Sequence, residues 1–120
     1  MITHLVLIKP RPDLSARDRL AFIAAFEHAV QEIPGIRGVR IGKRVTFGAG
    51  YERSVPDFAD ILAALDFDDV AELRAYLEHP AHSELGRLFG LSLASALVFD
   101  FEVGGLEVLQ RLGLFETPAP

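Results

Sequence analysis

Ile2-Thr3-His4-Leu5-Val6-Leu7-Ile8-Lys9 opens the chain, and its reading decides the fold. The run is apolar, rich in β-branched residues and closed by Pro10 and Pro12, so it predicts a strand. Alternation puts Ile2, His4, Val6 and Ile8 on one face and Thr3, Leu5 and Leu7 on the other. Both faces are mostly apolar. A sheet built around this strand has to be covered on each side.

The segments that follow supply one cover. Ser15 to Asp18 has the form of a capping box, with Asp in place of the usual Glu or Gln. Leu20, Ile23, Phe26, Val30 and Ile33 then recur at helical spacing, with Phe22 and Ala29 widening the stripe. Pro34-Gly35 ends that helix. Val39 to Phe47 predicts a second strand, with Gly38 and Gly42 marking a bulge. Gly48, Gly50 and Pro56 mark residues 48–57 as a surface loop. Phe58 to Phe67 predicts a third strand, with Ile61, Ala63, Leu65 and Phe67 sharing a face.

Asp69-Val70-Ala71-Glu72 repeats the capping pattern and starts a second helix, with Val70, Leu73, Tyr76 and Leu77 turned inward. It stops near His79, because the residue before a proline is pushed out of the helical region. Pro80 suits the first turn of a further helix, whose apolar stripe is Leu85, Leu88 and Phe89. Ala96 to Val103 predicts the fourth strand, with Leu97, Phe99, Phe101 and Val103 on one face. Residues 104–120 form a tail in which Leu106 to Leu114 has the pattern of a short amphipathic helix.

The order β-α-β-β-α-β is that of a ferredoxin-like α+β domain over residues 1–103. It implies a four-stranded antiparallel sheet with helices on one face. The other face keeps apolar side chains, and a second sheet packed against it would cover them. A homodimer through the open sheet face, a dimeric α+β barrel, is therefore expected.

Composition narrows the partners. The chain has 120 residues, a hydrophobic fraction of 50% and a formal net charge of -5, and its mean hydropathy is +0.27. The acidic balance argues against nucleic-acid binding, since only Arg37, Arg40, Lys43 and Arg44 lie close together. With no cysteine, disulfides and thiolate-ligated metals are excluded. The apolar run Phe89 to Phe99 is too short for a membrane span of roughly 20 residues. The first residues lack the charged region of a signal peptide, so the cytoplasm is the expected location.

Several segments carry a resemblance. They are the opening Thr3 to Lys9, Ile33-Pro34-Gly35-Ile36 with Gly42-Lys43, and Ala75-Tyr76-Leu77-Glu78-His79-Pro80-Ala81-His82 followed by Val98-Phe99-Asp100-Phe101. In this order they resemble the stress-responsive α/β-barrel (Dabb) domain family over about residues 1–103. The resemblance implies a dimeric ferredoxin-like fold and, for most members, an undefined activity. It also implies one chemistry, since the family contains a cyclase that closes a polyketide ring by aldol condensation. The catalytic tyrosine and histidine of that cyclase match Tyr76 and His82, and its first-strand histidine matches His4. Its third-strand histidine is replaced here by Ile61, and the helix-one pocket positions here are Ile23, Phe26 and Glu27. Those departures imply a different substrate.

The residues support two functions. In one, a pocket between sheet and helices binds a small apolar ligand through His4, Val6, Ile8, Phe26 and Ile61. In the other, the same pocket is a cofactor-independent, polyketide cyclase-like or isomerase-like active site. His82 would be the general base and Tyr76 the hydrogen-bond donor, because a neutral imidazole near a helix N-terminus can take a proton at working pH. The plainer reading makes His82 a partner of a loop carbonyl. His79 reads as a helix cap. No metal or other cofactor is expected, because no compact ligand motif and no glycine-rich dinucleotide turn is present. The stripe Phe22, Phe26, Leu85 and Phe89 reads mainly as core, and Asp66, Asp68, Asp69 and Glu72 as helix-terminal charge.

Overall fold

The computed structural model describes residues 1–111 and Gly113. Four strands, β1 (Ile2–Pro10), β2 (Gly38–Lys43), β3 (Ile61–Phe67) and β4 (Leu93–Glu102), form one antiparallel sheet in the order β2-β3-β1-β4. Three helices, α1 (Ala16–Glu32), α2 (Val70–Glu78) and α3 (Pro80–Ser92), lie on one of its faces. A single turn, α4 (Val108–Arg111), follows β4. The expected tail helix therefore starts two residues late, and its end, with Leu112 and residues 114–120, lies outside the described residues.

Each helix start has a local cause. The Ser15 side chain accepts from the Asp18 N–H at 3.1 Å, and Asp69 accepts from the Glu72 N–H at 2.9 Å. At the α2–α3 break, the Ala81 N–H donates to His79 Nδ1 at 3.0 Å. His79 is thus the cap of α3, and its acceptor nitrogen must be unprotonated. Gly35 ends the turn after α1 at a φ of 93°, a conformation that strains any L side chain and favours glycine.

The core lies between sheet and helices. Val6, Ile8, Ala63, Leu65 and Phe67 meet Ala29, Ile33, Leu73, Tyr76 and Leu85 there. Leu65 and Phe67 are the largest fully buried side chains, each worth about 1.5–3 kcal/mol of transfer free energy.

Five expectations are corrected. The second strand stops at Lys43 instead of Phe47, and the third begins at Ile61 instead of Phe58. Lys43 is the last residue paired, to Ile61. Beyond it Gly48 takes a φ of 81°, and the chain leaves the sheet as a turn over Gly50–Ser54, exposing Val45 and Phe47. The fourth strand begins at Leu93, three residues early. The buried stripe of α1 is Phe22, Ala25, Phe26, Ala29 with Ile33, and Leu20 and Ile23 are exposed. Val70 and Leu77 on α2 are exposed as well, because only Leu73 and Tyr76 face the sheet squarely.

The other sheet face carries Leu5, Leu7, Leu97, Phe99 and Phe101, paired across β1 and β4 as Leu7 with Leu97, Leu5 with Phe99 and Thr3 with Phe101. Phe99 is 47% exposed and Phe101 49%. No helix of the described residues is long and apolar enough to cross a membrane.

Candidate functional site: an apolar cleft ending in a tyrosine and two histidines

A cleft of about 930 Å³ separates α1 from the sheet. Its floor is the helix-side row of β1, namely His4, Val6, Ile8 and Pro10, continued by Ile61, Ala63 and Leu65 of β3. Its walls are α1 and α3. Phe22, Phe26, Leu85 and Phe89 line it while also belonging to or packing on the core, as their spacing predicts. Phe22 and Phe89 do pack together, with ring centroids 5.4 Å apart, but they close the cleft's side without filling it. All five expected ligand contacts, His4, Val6, Ile8, Phe26 and Ile61, line this one space.

At one end of the cleft Tyr76 joins both histidines. The Tyr76 and His82 rings lie 4.8 Å apart and the Tyr76 and His4 rings 5.7 Å apart, both edge to face. Tyr76 is held from below by Phe67 at 5.3 Å. The α2–α3 break brings the pair together. It lets α3 restart at Pro80, so that His82, in its first turn, faces back toward Tyr76 in the last turn of α2.

The protonation states follow from this packing. Burial pushes the Tyr76 hydroxyl up to about 12, so it is a neutral donor at any working pH. Burial first, and the His4 charge second, lower His82 below the usual histidine range, against an opposing pull from the Leu77 backbone. His82 is therefore a neutral imidazole near pH 7. The Leu77 backbone engages one side of the His82 ring, which leaves its other nitrogen, beside the Tyr76 hydroxyl, to serve a ligand.

His4 is buried and its Nδ1 lies 2.6 Å from Asp100 Oδ1. Asp100 is the site residue that sequence reading passed over as a partner for His4. The signal is the register. His4 and Asp100 are directly opposed across β1 and β4, and both occupy helix-facing positions.

Ile61, the position of the departure noted above, sits opposite Ile8, four residues or roughly 13 Å along the strand from the His4 level. It therefore shapes the middle of the cleft, away from the tyrosine–histidine end. The carboxylates have other work. Asp66 accepts from Thr3 at 2.7 Å, and Asp68 pairs with Arg37. Among the described residues no three histidine, aspartate or glutamate side chains gather as a metal-binding set.

Comparisons with known proteins agree with this architecture. Olivetolic acid cyclase of Cannabis sativa is 23% identical over 100 residues, covering 83% of this chain and 94% of the cyclase. The hydroxynitrile lyase of Passiflora edulis superposes with a TM-score of 0.72 at 15% identity, over 87% of this chain and 94% of the lyase. A dimeric ferredoxin-like protein of unknown function from Jannaschia sp. CCS1 superposes with a TM-score of 0.68 at 25% identity, over 85% of this chain and 98% of that one. The model of the Stress responsive A/B Barrel Domain family matches residues 2–103, and the chain belongs to that family.

Proposed function

We propose that each protomer binds one small, largely apolar molecule in the cleft and that His82 removes a proton from it. A general base near neutrality and a neutral donor beside it are what proton abstraction next to a carbonyl requires. His82 takes the proton from the carbon, and the electron pair moves onto the carbonyl oxygen. Tyr76 donates a hydrogen bond to the resulting enolate oxygen. Return of the proton to carbon completes an isomerisation; attack of the enolate carbon on a second carbonyl of the same molecule, with His82 giving its proton to the new alkoxide, completes a cyclisation. No cofactor is needed for either.

The observation that carries this reading is the 4.8 Å edge-to-face pair of Tyr76 and His82 at the end of an apolar cleft. The likeness to a cyclase and a lyase supports it. The protomer works as a homodimer joined through Leu5, Leu7, Leu97, Phe99 and Phe101, since a patch of this kind is seldom left bare. The dimeric relative supports that assembly.

The test is hydrogen–deuterium exchange. An aryl alkyl ketone is incubated with the protein in heavy water, and NMR follows deuterium entry next to the carbonyl. The wild type is expected to accelerate exchange, and His82→Gln to lose about 10²–10⁴ of the rate. Tyr76→Phe, which keeps the ring packing, is expected to lose less. Equal exchange by wild type and His82→Gln would remove the proton-transfer role.

A further inference from the structure

The cleft has a second end, chemically unlike the first. It runs along β1 and α3 together. His4 on β1 and His82 on α3 meet Tyr76 at one end. At the other end the Arg11 N–H donates to the Ser92 carbonyl at 3.0 Å, tying the end of β1 to the end of α3. From His82 to Ser92 the helix spans about 15 Å at its standard rise. The walls between are apolar.

Two arginines line that far end. Arg11 and Arg19 both line the cleft, on either side of Leu14. The Leu14 N–H donates to the Arg11 carbonyl at 3.2 Å, and the Arg19 guanidinium donates to the Leu14 carbonyl at 3.5 Å. The two arginines are thus held to one turn. Some arginines of the chain are engaged, as Arg37 is with Asp68, Arg44 with Asp57 and Arg87 with Glu84, and Arg11 and Arg19 are the arginines that line the cleft. Among the described residues Arg11 and Arg19 form no ion pair. The acidic residue lining the cleft is Glu27, two turns further along α1 than Arg19. In a chain of net charge -5, two unmatched cations at the mouth of an apolar cleft mark a place for an anion.

We infer that the ligand is an amphipathic anion: its carboxylate or phosphate rests on Arg11 and Arg19, and its apolar body runs about 15 Å to a carbonyl or phenol at Tyr76 and His82. This inference rests on the proposed reading of the Tyr76–His82 end and adds the polarity and the length of the molecule. It also gives the ligand a direction. An anion fixed at the arginines holds the reactive group of a chain of matching length against His82, and a shorter chain leaves it short of the base.

Calorimetric titration of the full chain tests it, using decanoate, decyl phosphate and methyl decanoate. At least one anion is expected to bind more tightly than the neutral ester, and to weaken as salt is raised. The Arg11→Gln, Arg19→Gln double variant is expected to lose about fivefold in affinity for the anion, the scale of two exposed charge pairs, and nothing for the ester. Both arginines are exposed, so the variant keeps the wild-type melting temperature. Tighter binding of the carboxylate than of the phosphate, or the reverse, identifies the head group. Ester and anion binding equally in wild type and double variant would overturn the anion site while leaving an apolar ligand in place. Anion preference that survives in the double variant would move the anion to the His4 end and overturn it too. Failure of all three probes to bind would overturn both this inference and the apolar cleft beneath it.

Discussion

The two faces of the sheet are built from the same strands, and they solve the problem of cover differently. On the helix side β1 offers His4, Val6 and Ile8, and these meet Leu65, Tyr76 and Leu85. On the open side it offers Leu5 and Leu7, which meet Phe99 and Leu97 and then solvent. The helix side is packed at the Phe67 and Leu73 end and hollow under α1. A helix held off the sheet leaves polar groups free to face a cavity without being orphaned, and three of the ring-bearing polar residues collect there. The open side is apolar at its centre, with Thr3 bonded to Asp66 and Lys9, Ser95 and Arg40 at its margins. One face can therefore do chemistry, and the other can only adhere.

The largest effect that would sharpen this contrast lies on the packed part of the helix side. Phe67 is wholly buried and props Tyr76. Phe67→Ala is expected to cost about 3–5 kcal/mol of stability, the range for a truncated core aromatic, measured by urea denaturation. A loss below about 1 kcal/mol would mean that the cavity under α1 extends to Phe67 and that this side is not packed there.

Next comes the open side. Phe99→Glu with Phe101→Glu places two carboxylates in a patch that its twofold mate would bury against itself. Sedimentation equilibrium is expected to show a dimer for the wild type and a monomer for the variant. Like charges facing one another across an interface cost several kcal/mol, so dimerisation should weaken at least about a hundredfold. Since the core does not touch these rings, the monomer should keep its helical circular dichroism. A variant that stays dimeric would place the interface elsewhere and leave this face without an assigned cover.

Much of this division is legible in the chain itself. The alternation of Ile2 to Lys9 gives both faces, and the Asp69 and Pro80 signals give the α2–α3 break that places Tyr76 beside His82. The prediction that His79 caps a helix holds because a proline after a polar residue leaves few other uses for that side chain. Other features depend on what strand pairing does at long range. Strand two ends at Lys43 because its antiparallel partner β3 begins only at Ile61, although Val45 and Phe47 have every local mark of a strand. The hollow under α1 is not legible, since the same Phe22, Phe26, Leu85 and Phe89 would pattern identically in a filled core. Asp100 is legible only once the β1–β4 register is known. Arg11 and Arg19 carry no motif and become neighbours through the turn at Leu14.

The smallest effect separates the two faces by pH. On the helix side the folded protein holds His82 below the ordinary histidine value, through burial and then the His4 charge. The unfolded chain, with a histidine near 6.5, takes up this proton first. Stability from this group is therefore complete above about pH 6.5 and is lost as pH falls through the lower folded value. The open face has no histidine and adds nothing to that slope. Urea midpoints are expected to drop between pH 7 and pH 5, and His82→Gln is expected to flatten part of the drop. Proton abstraction should follow the same group, with an acid limb below about pH 6.5. Tyr76, raised to about 12, contributes no alkaline limb in the working range. Should His82→Gln leave the slope unchanged, His82 would be an ordinary solvated histidine, and the helix side would lose its base while keeping its cleft.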